Sequence, residues 1–256
     1  MSPLLETKKV SKHFGGLKAV DGVDIQVEKG EIFGIIGPNG AGKTTFFNCL
    51  TGLYTLTAGD IFFKGESITE ASPSQVAKLG MARTFQNIKL FKYMTVLDNV
   101  KIGFHTQTKT KLWDAIFNTG QFKKDEQLTV DEGMKVLKRV GLEKYAADFA
   151  SNLPYGNQRK LEIARALAVG PDILLLDEPA AGMNPAETAS LMELIKQINN
   201  TGLTIVVIEH DMKFIMNVCD RIAVLNNGRK ICHGTPKDVQ CNQEVVEAYL
   251  GKGSVH

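Results

Sequence analysis

Short unbroken apolar runs punctuate the chain: IFGII from Ile32, ILLL from Ile173 and TIVVI from Thr204, each bounded by glycine, proline or charged residues. Runs this short and this continuous predict strands buried on both faces, as a parallel sheet requires. Between them the rhythm changes to apolar residues three or four apart, which predicts helices over Lys43–Leu50, Pro185–Asn199 and Asp211–Cys219. A further strand is predicted at RIAVLNNG, from Arg221. Residues 1 to 35 read as two or three short strands, with turns at Phe14-Gly15-Gly16 and Glu28-Lys29-Gly30, and Gly59 to Ser67 reads as strand around the turn KGE. From about Thr95 to Gly141 the segments VLDNVKIGF, KLWDAIF and VDEGMKVLKRV all carry helical spacing, which predicts an inserted helical lobe. Strand and helix alternating in this way predict an α/β chain built on a parallel sheet.

Composition narrows the classes without choosing one. The chain has 256 residues, 43% hydrophobic and 23% charged, enough for one large domain. Its formal net charge of +2 provides no field suited to nucleic acid or an anionic membrane. No apolar stretch is long enough to cross a bilayer, and MSPLLETKKV lacks the long apolar region of a secretory signal, so a cytoplasmic location is expected. Cys49, Cys219, Cys232 and Cys241 show no CxxC spacing and predict neither a disulfide scaffold nor a metal site.

Chemistry enters at GPNGAGKTT, which follows a strand, opens a helix and matches G-x-x-x-x-G-K-[ST] from Gly37 to Thr44. Gly37, Gly40 and Gly42 let backbone N–H groups turn inward onto a phosphate, and Pro38, Asn39, Ala41 and Thr45 complete the loop and the start of its helix. Lys43 reaches toward the β- and γ-phosphates, and the Thr44 hydroxyl suits Mg²⁺. A second element, ILLLDEP, delivers Asp177 and Glu178 to the carboxyl end of a buried strand, where open α/β sheets bind ligands. Asp177 suits the outer coordination of Mg²⁺, and Glu178 suits a base that polarises a water for attack on the γ-phosphorus.

Between the two lies LPYGNQRKLEIARALA, from Leu153 to Ala168, which resembles the LSGGQ signature and helix of ATP-binding cassette (ABC) ATPases. The other stations of that family stand in order: Phe14 in KHFGG, Gln86 in RTFQN, Asn184 in AAGMNP and His210 in VIEHD. The resemblance covers almost the whole chain. It implies a P-loop NTPase fold with a mainly parallel core sheet, an N-terminal antiparallel β subdomain, and an inserted helical subdomain over approximately residues 90–165 that carries the signature, all within a single domain, 1–256. It implies that Phe14 stacks on adenine, that Gln86 contacts Mg²⁺ or the attacking water, and that His210 bonds the γ-phosphate. Leu153, Pro154, Tyr155, Gly156, Asn157 and Gln158 would face the ATP of an opposite subunit.

The wording LEIARAL, LDEPAAGMNP and VVEAYLG is similar to the LivG-type branch, which powers import of branched-chain amino acids. Partners implied are a second ATPase, identical or paralogous, two transmembrane permeases at the cytoplasmic face of the membrane, and a solute-binding protein outside it. The solute stays open at this point, because similar ATPases serve urea, short amides and lipopolysaccharide export. A mechanical role on DNA or ribosomes lacks the long coiled-coil insertion or the second cassette that it would need. Two positions depart from the family: Pro154 stands where a serine hydroxyl usually bonds the opposite γ-phosphate, with Tyr155 in place of a glycine, and Asn184 stands where aspartate is common.

Overall fold

The computed structural model describes residues 2–104 and 120–250. In chain order the elements are β1 (Leu5–Phe14), β2 (Leu17–Val27), β3 (Ile32–Ile36), α1 (Lys43–Leu50), β4 (Ala58–Phe63), β5 (Glu66–Ser67), α2 (Pro73–Lys78) and β6 (Met81–Arg83). There follow α3 (Val96–Phe104), α4 (Gly120–Arg139), α5 (Tyr155–Ala168), β7 (Ile173–Asp177), α6 (Pro185–Asn199), β8 (Thr204–Ile208), α7 (Met212–Val218), β9 (Arg221–Asn226), β10 (Arg229–Gly234), α8 (Pro236–Gln240) and α9 (Gln243–Leu250).

Two sheets result. One is antiparallel, in the order β2-β1-β4-β5; the other has six strands in the order β10-β9-β3-β8-β7-β6, parallel except where β10 closes its edge against β9. Every residue of β3, β7 and β8 is buried, as the unbroken apolar runs predict. Period-two alternation then sorts their side chains onto two faces. Ile36, Leu174, Leu176, Ile205 and Val207 pack with α5, α6 and α7, whereas Phe33, Ile35, Leu175, Val206 and Ile208 pack with Phe46, Phe47 and Leu50 of α1 and the inner face of the antiparallel sheet.

The N-terminal strands differ from the expectation of short ones, since β1 and β2 run ten and eleven residues. Polar residues in KKVSK interrupt the alternation because the pairing is bulged there: the register shifts between Thr7 and Val10, and Lys9 takes a φ of 49° while its N–H donates to Asp24 at 2.6 Å. Of the three helical segments expected over Thr95–Gly141, VLDNVKIGF forms α3 and VDEGMKVLKRV lies largely in α4, while KLWDAIF falls outside the described residues. Val96, Val100 and Leu137 of these helices join the same apolar cluster as α5.

Candidate functional site

Because β9, β3, β8, β7 and β6 run parallel, their carboxyl ends meet on one edge. That edge collects the loop after Ile36, Asp177 at the end of β7 with Glu178 next to it, Glu209 and His210 after β8, and Gln86 beyond β6. Residues far apart in sequence become neighbours for this reason alone. A cleft of about 400 Å³ opens there, lined by Asn39, Gly40, Lys43, Thr44, Thr45 and Glu178 among others. A larger cavity of about 740 Å³ lies at the opposite, amino end of the strands, beside Lys29, Asp172 and Leu203, and contains none of the motif residues.

Glycine is required in the loop where its backbone presses on neighbours. A Cβ on Gly37 would stand 2.1 Å from the Leu225 carbonyl oxygen, and one on Gly42, at φ 96°, would stand 2.2 Å from that of Ala19. Helix α1 starts immediately after Gly42, so its unpaired N–H groups face the loop. Lys43 is buried, and its Nζ donates to the carbonyls of Gly37 at 2.7 Å and Pro38 at 3.0 Å. Burial lowers its pKa, and the carboxylates of Glu178 and Asp177 oppose that shift.

Across the cleft, Glu178 adopts φ 46°, a left-handed conformation that a bulky side chain rarely takes. Such strain costs on the order of 1–3 kcal/mol and collects at functional positions. Three hydrogen bonds hold it: its N–H donates to the Ile208 carbonyl at 2.9 Å, its carbonyl accepts from Ala181 N–H at 3.2 Å, and Gln86 Nε2 donates to its Oε2 at 2.9 Å. Asp177 is buried; its Oδ2 accepts from Arg83 Nη2 at 2.7 Å, and its Oδ1 has no hydrogen-bond partner in the protein. A buried carboxylate oxygen left without a partner is a hard donor of the kind that suits Mg²⁺. Among the described residues no group of three or more His, Cys, Asp and Glu could hold a metal. A cation held here would need its remaining oxygen ligands from a phosphate chain and water.

The other expected residues are distributed around this centre. His210 is exposed beside Glu209, with Nδ1 3.8 Å from its carboxylate. Phe14 ends β1, half exposed and packed edge-on against Tyr54 at 5.5 Å; it is not among the residues lining the cleft, whereas Leu17 and Lys18 are. Pro154 is the N-cap of α5 and offers no side-chain cap bond. Leu153 is buried beneath it, and Gln158 donates to the Leu153 carbonyl at 2.9 Å. The Tyr155 hydroxyl donates to the Ala181 carbonyl at 3.0 Å, so the residue that replaces a glycine ties the start of α5 to the turn after Glu178. Gly156 and Asn157 lie beside Met183 and Glu187 in a small recess between α5 and α6. Asn184 caps α6, accepting from Ala186 and Glu187, both at 3.0 Å.

Sequence reasoning missed Arg83, Glu209 and the pair Arg159–Glu162. Arg83 also donates to Asn48 at 2.6 Å and lies over the rings of Phe47 and Phe85, so it braces α1 against Asp177. Glu209, buried, accepts from Ala180 N–H at 2.8 Å; burial raises its pKa, and the backbone donors from Ala180 and His210 oppose that. No local signal marks these residues, because Asp177 for Arg83, Ala180 for Glu209 and the Phe85 and Gln86 carbonyls for Arg159 all arrive from segments distant in sequence.

Comparison with known proteins agrees with this geometry. The ABC transporter family model matches residues 20–181, and a model described as branched-chain amino acid ATP-binding cassette transporter matches residues 229–254. The chain is 45% identical over 98% of both chains to the high-affinity branched-chain amino acid transport ATP-binding protein LivG of Escherichia coli K12. Its structure resembles the ADP conformation of MJ1267, an ATP-binding cassette of an ABC transporter, with a TM-score of 0.86, 33% identity, and coverage of 98% of this chain and 100% of that one. It also resembles a dimeric post-hydrolysis state of the cassette MJ0796 bound to ADP and Pi, at a TM-score of 0.76 and 25% identity, covering 91% of this chain and 98% of that one. A glycine-gated loop capped by Lys43, facing a buried Asp177 and a strained Glu178 on the carboxyl edge of a parallel sheet, belongs with those relatives: the chain is a member of the ABC transporter family of ATP-binding cassettes.

Proposed function

We propose that this chain binds and hydrolyses ATP to drive an importer of branched-chain amino acids. The observation that carries the chemistry is the Gln86–Glu178 contact of 2.9 Å at the mouth of the Lys43 loop. It brings a carboxylate and an amide to one place beside a phosphate-binding loop. Residues 37–45 wrap the phosphates, with Lys43 between the β and γ groups. Glu178 accepts a proton from the attacking water, Gln86 orients that water, and His210 bonds the γ-phosphate. Thr44, Asp177 through water, and Gln86 would hold Mg²⁺, which supplies charge that neutralises the phosphates. Phe14 serves the adenine from the rim.

The assembly we infer is a dimer, of two copies or of this chain with a paralogue, in which α5 and the residues Leu153–Gln158 face the partner's ATP. The dimeric state of the similar cassette MJ0796 supports this reading. The inserted helical subdomain, approximately residues 90–165, would meet two permeases at the cytoplasmic face of the membrane. Among the described residues, no helix is long and apolar enough to cross a membrane. An apolar groove of about 340 Å³, lined by Leu53, Val76, Met81, Phe85 and Ile102, suits a permease helix docking between α2 and α3. The similarity to LivG, a branched-chain amino acid transport ATP-binding protein, supports branched-chain amino acids as the solute, selected by the permeases and an external binding protein.

Reconstitution tests the whole reading. Proteoliposomes containing the two permeases, this chain and its paralogue should accumulate labelled leucine with binding protein outside and Mg-ATP inside. Hydrolysis without leucine uptake would overturn the solute; no phosphate release under any condition would overturn the ATPase.

Pro154 allows a sharper expectation. A serine there would supply a hydroxyl to the opposite γ-phosphate, a bond to a charged group worth about 1.5–3 kcal/mol. In a Glu178→Gln background, Pro154→Ser should therefore tighten the ATP-dependent dimer roughly tenfold or more per site, measured by sedimentation across a concentration series. Serine is also a better N-cap, worth about 1 kcal/mol to α5, so a thermal melt of the monomer separates the two effects. An unchanged or weaker dimer would show that backbone N–H groups near Gly156 already satisfy the phosphate.

A further inference from the structure

Arg159 and Glu162 are charged, sit one and two turns into α5, and are both buried. Arg159 Nη1 meets Glu162 Oε2 at 2.8 Å, and the rest of the guanidinium points out of the helix: Nη1 donates to the Phe85 carbonyl at 2.7 Å and Nη2 to the Gln86 carbonyl at 2.8 Å. Glu162 Oε1 lies 3.4 Å from the N–H groups of both Phe85 and Lys89. The same segment is pinned upstream, where Thr84 N–H donates to Leu175, and downstream, where Asn99 accepts from Phe91 N–H and donates to its carbonyl. Between those anchors the pair is what grips the backbone that carries Gln86.

As glue this is an expensive choice, because apolar residues of similar volume commonly stabilise a core as well as a buried ion pair does. What apolar residues could not do is hold two successive carbonyls. The planar fork of an arginine spans them, and it fixes the peptide from which the Gln86 side chain reaches Glu178. We propose that Arg159 and Glu162 are positioning residues for hydrolysis: they lock Gln86 against Glu178 and make its placement follow the placement of α5. Since α5 begins at Pro154 and Tyr155, whatever seats on that helix end is reported to the catalytic edge through this pair. The inference rests on the ATPase reading above. A shift of about 1 Å in a group that orients a reactant can cost on the order of a hundredfold in rate.

The decisive variant is Arg159→Met with Glu162→Leu, which removes both charges together and so leaves no unpaired ion in the core. Its melting temperature should stay near that of the parent and its affinity for Mg-ATP within threefold, while kcat falls at least tenfold. In a Gln86→Ala background the same double substitution should change kcat by less than twofold, because the pair acts through Gln86. Deuterium exchange at the amides of Phe85–Lys89 should rise in the double variant, a reading that needs no turnover. If the double variant does not fold, Arg159→Lys takes its place under the same criteria, since one ammonium pairs with Glu162 but cannot span both carbonyls. Unchanged kcat with unchanged exchange, or an equal further loss in the Gln86→Ala background, would overturn the proposal. A parent chain that binds ATP without hydrolysing it would strike the ATPase reading alone, and the exchange measurement would still decide the tether.

Discussion

Lys43→Ala should lose binding of Mg-ATP by a factor of a hundred or more, measured by calorimetric titration. The physical basis is a single ammonium placed where two phosphates would share it. A hydrogen bond to a charged group is worth about 1.5–3 kcal/mol, so two of them amount to roughly 10²- to 10⁴-fold in affinity. The site enlarges the effect, since the ammonium is buried and water cannot replace it fully. Truncation also deprives the carbonyls of Gly37 and Pro38 of their donor, which loosens the loop that remains. A melting curve of the variant must accompany the titration to show that the sheet is intact. Affinity within a few-fold of the parent in a folded variant would sink the assignment of residues 37–45 to phosphate.

Glu178→Gln should preserve that binding, reduce phosphate release by at least a hundredfold, and leave an ATP-bound dimer visible by gel filtration. General-base catalysis is worth about 10²–10⁴ in rate, and the substitution removes only the basic oxygen. Glutamine keeps a carbonyl oxygen that can accept from Gln86 Nε2, and it pays the same conformational cost at φ 46° as glutamate does. The cleft should therefore keep its shape, and the dimer accumulates because opening waits on hydrolysis. Turnover at the parent rate would mean that Glu178 is not the base, and attention would move to the amide of Gln86 and to His210.

Much of this molecule was legible in the chain alone, and for local reasons. The limits of α1 at Lys43–Leu50 and of α6 at Pro185–Asn199 match the predicted spans, because periodicity and start signals act within a few residues: Gly42 ahead of one, and Asn184 ahead of the other with Pro185 and Glu187 in its first turn. Strands β3, β7 and β8 were equally plain, since apolar continuity is a statement about burial on both faces. The glycine loop of residues 37–45 and the Asp177-Glu178 pair stand out in the sequence because each is contiguous along the chain. Strand order was not. Only the pairing of β6 with β7 brings Arg83 to Asp177 across a separation of 94 residues, and only the packing of α5 under the loop after β6 makes Arg159 a grip on Gln86, 73 residues away, where the sequence shows an ordinary basic residue on a helix. The long bulged hairpin of β1 and β2 was hidden likewise, because its irregular pairing breaks the alternation by which a strand is recognised. Local rhythm and contiguous motifs depend on neighbours along the chain, so the sequence alone determines them; which carboxylate is braced, which glutamine is aimed and which glutamate is strained depend on neighbours through space, and those the tertiary structure decides.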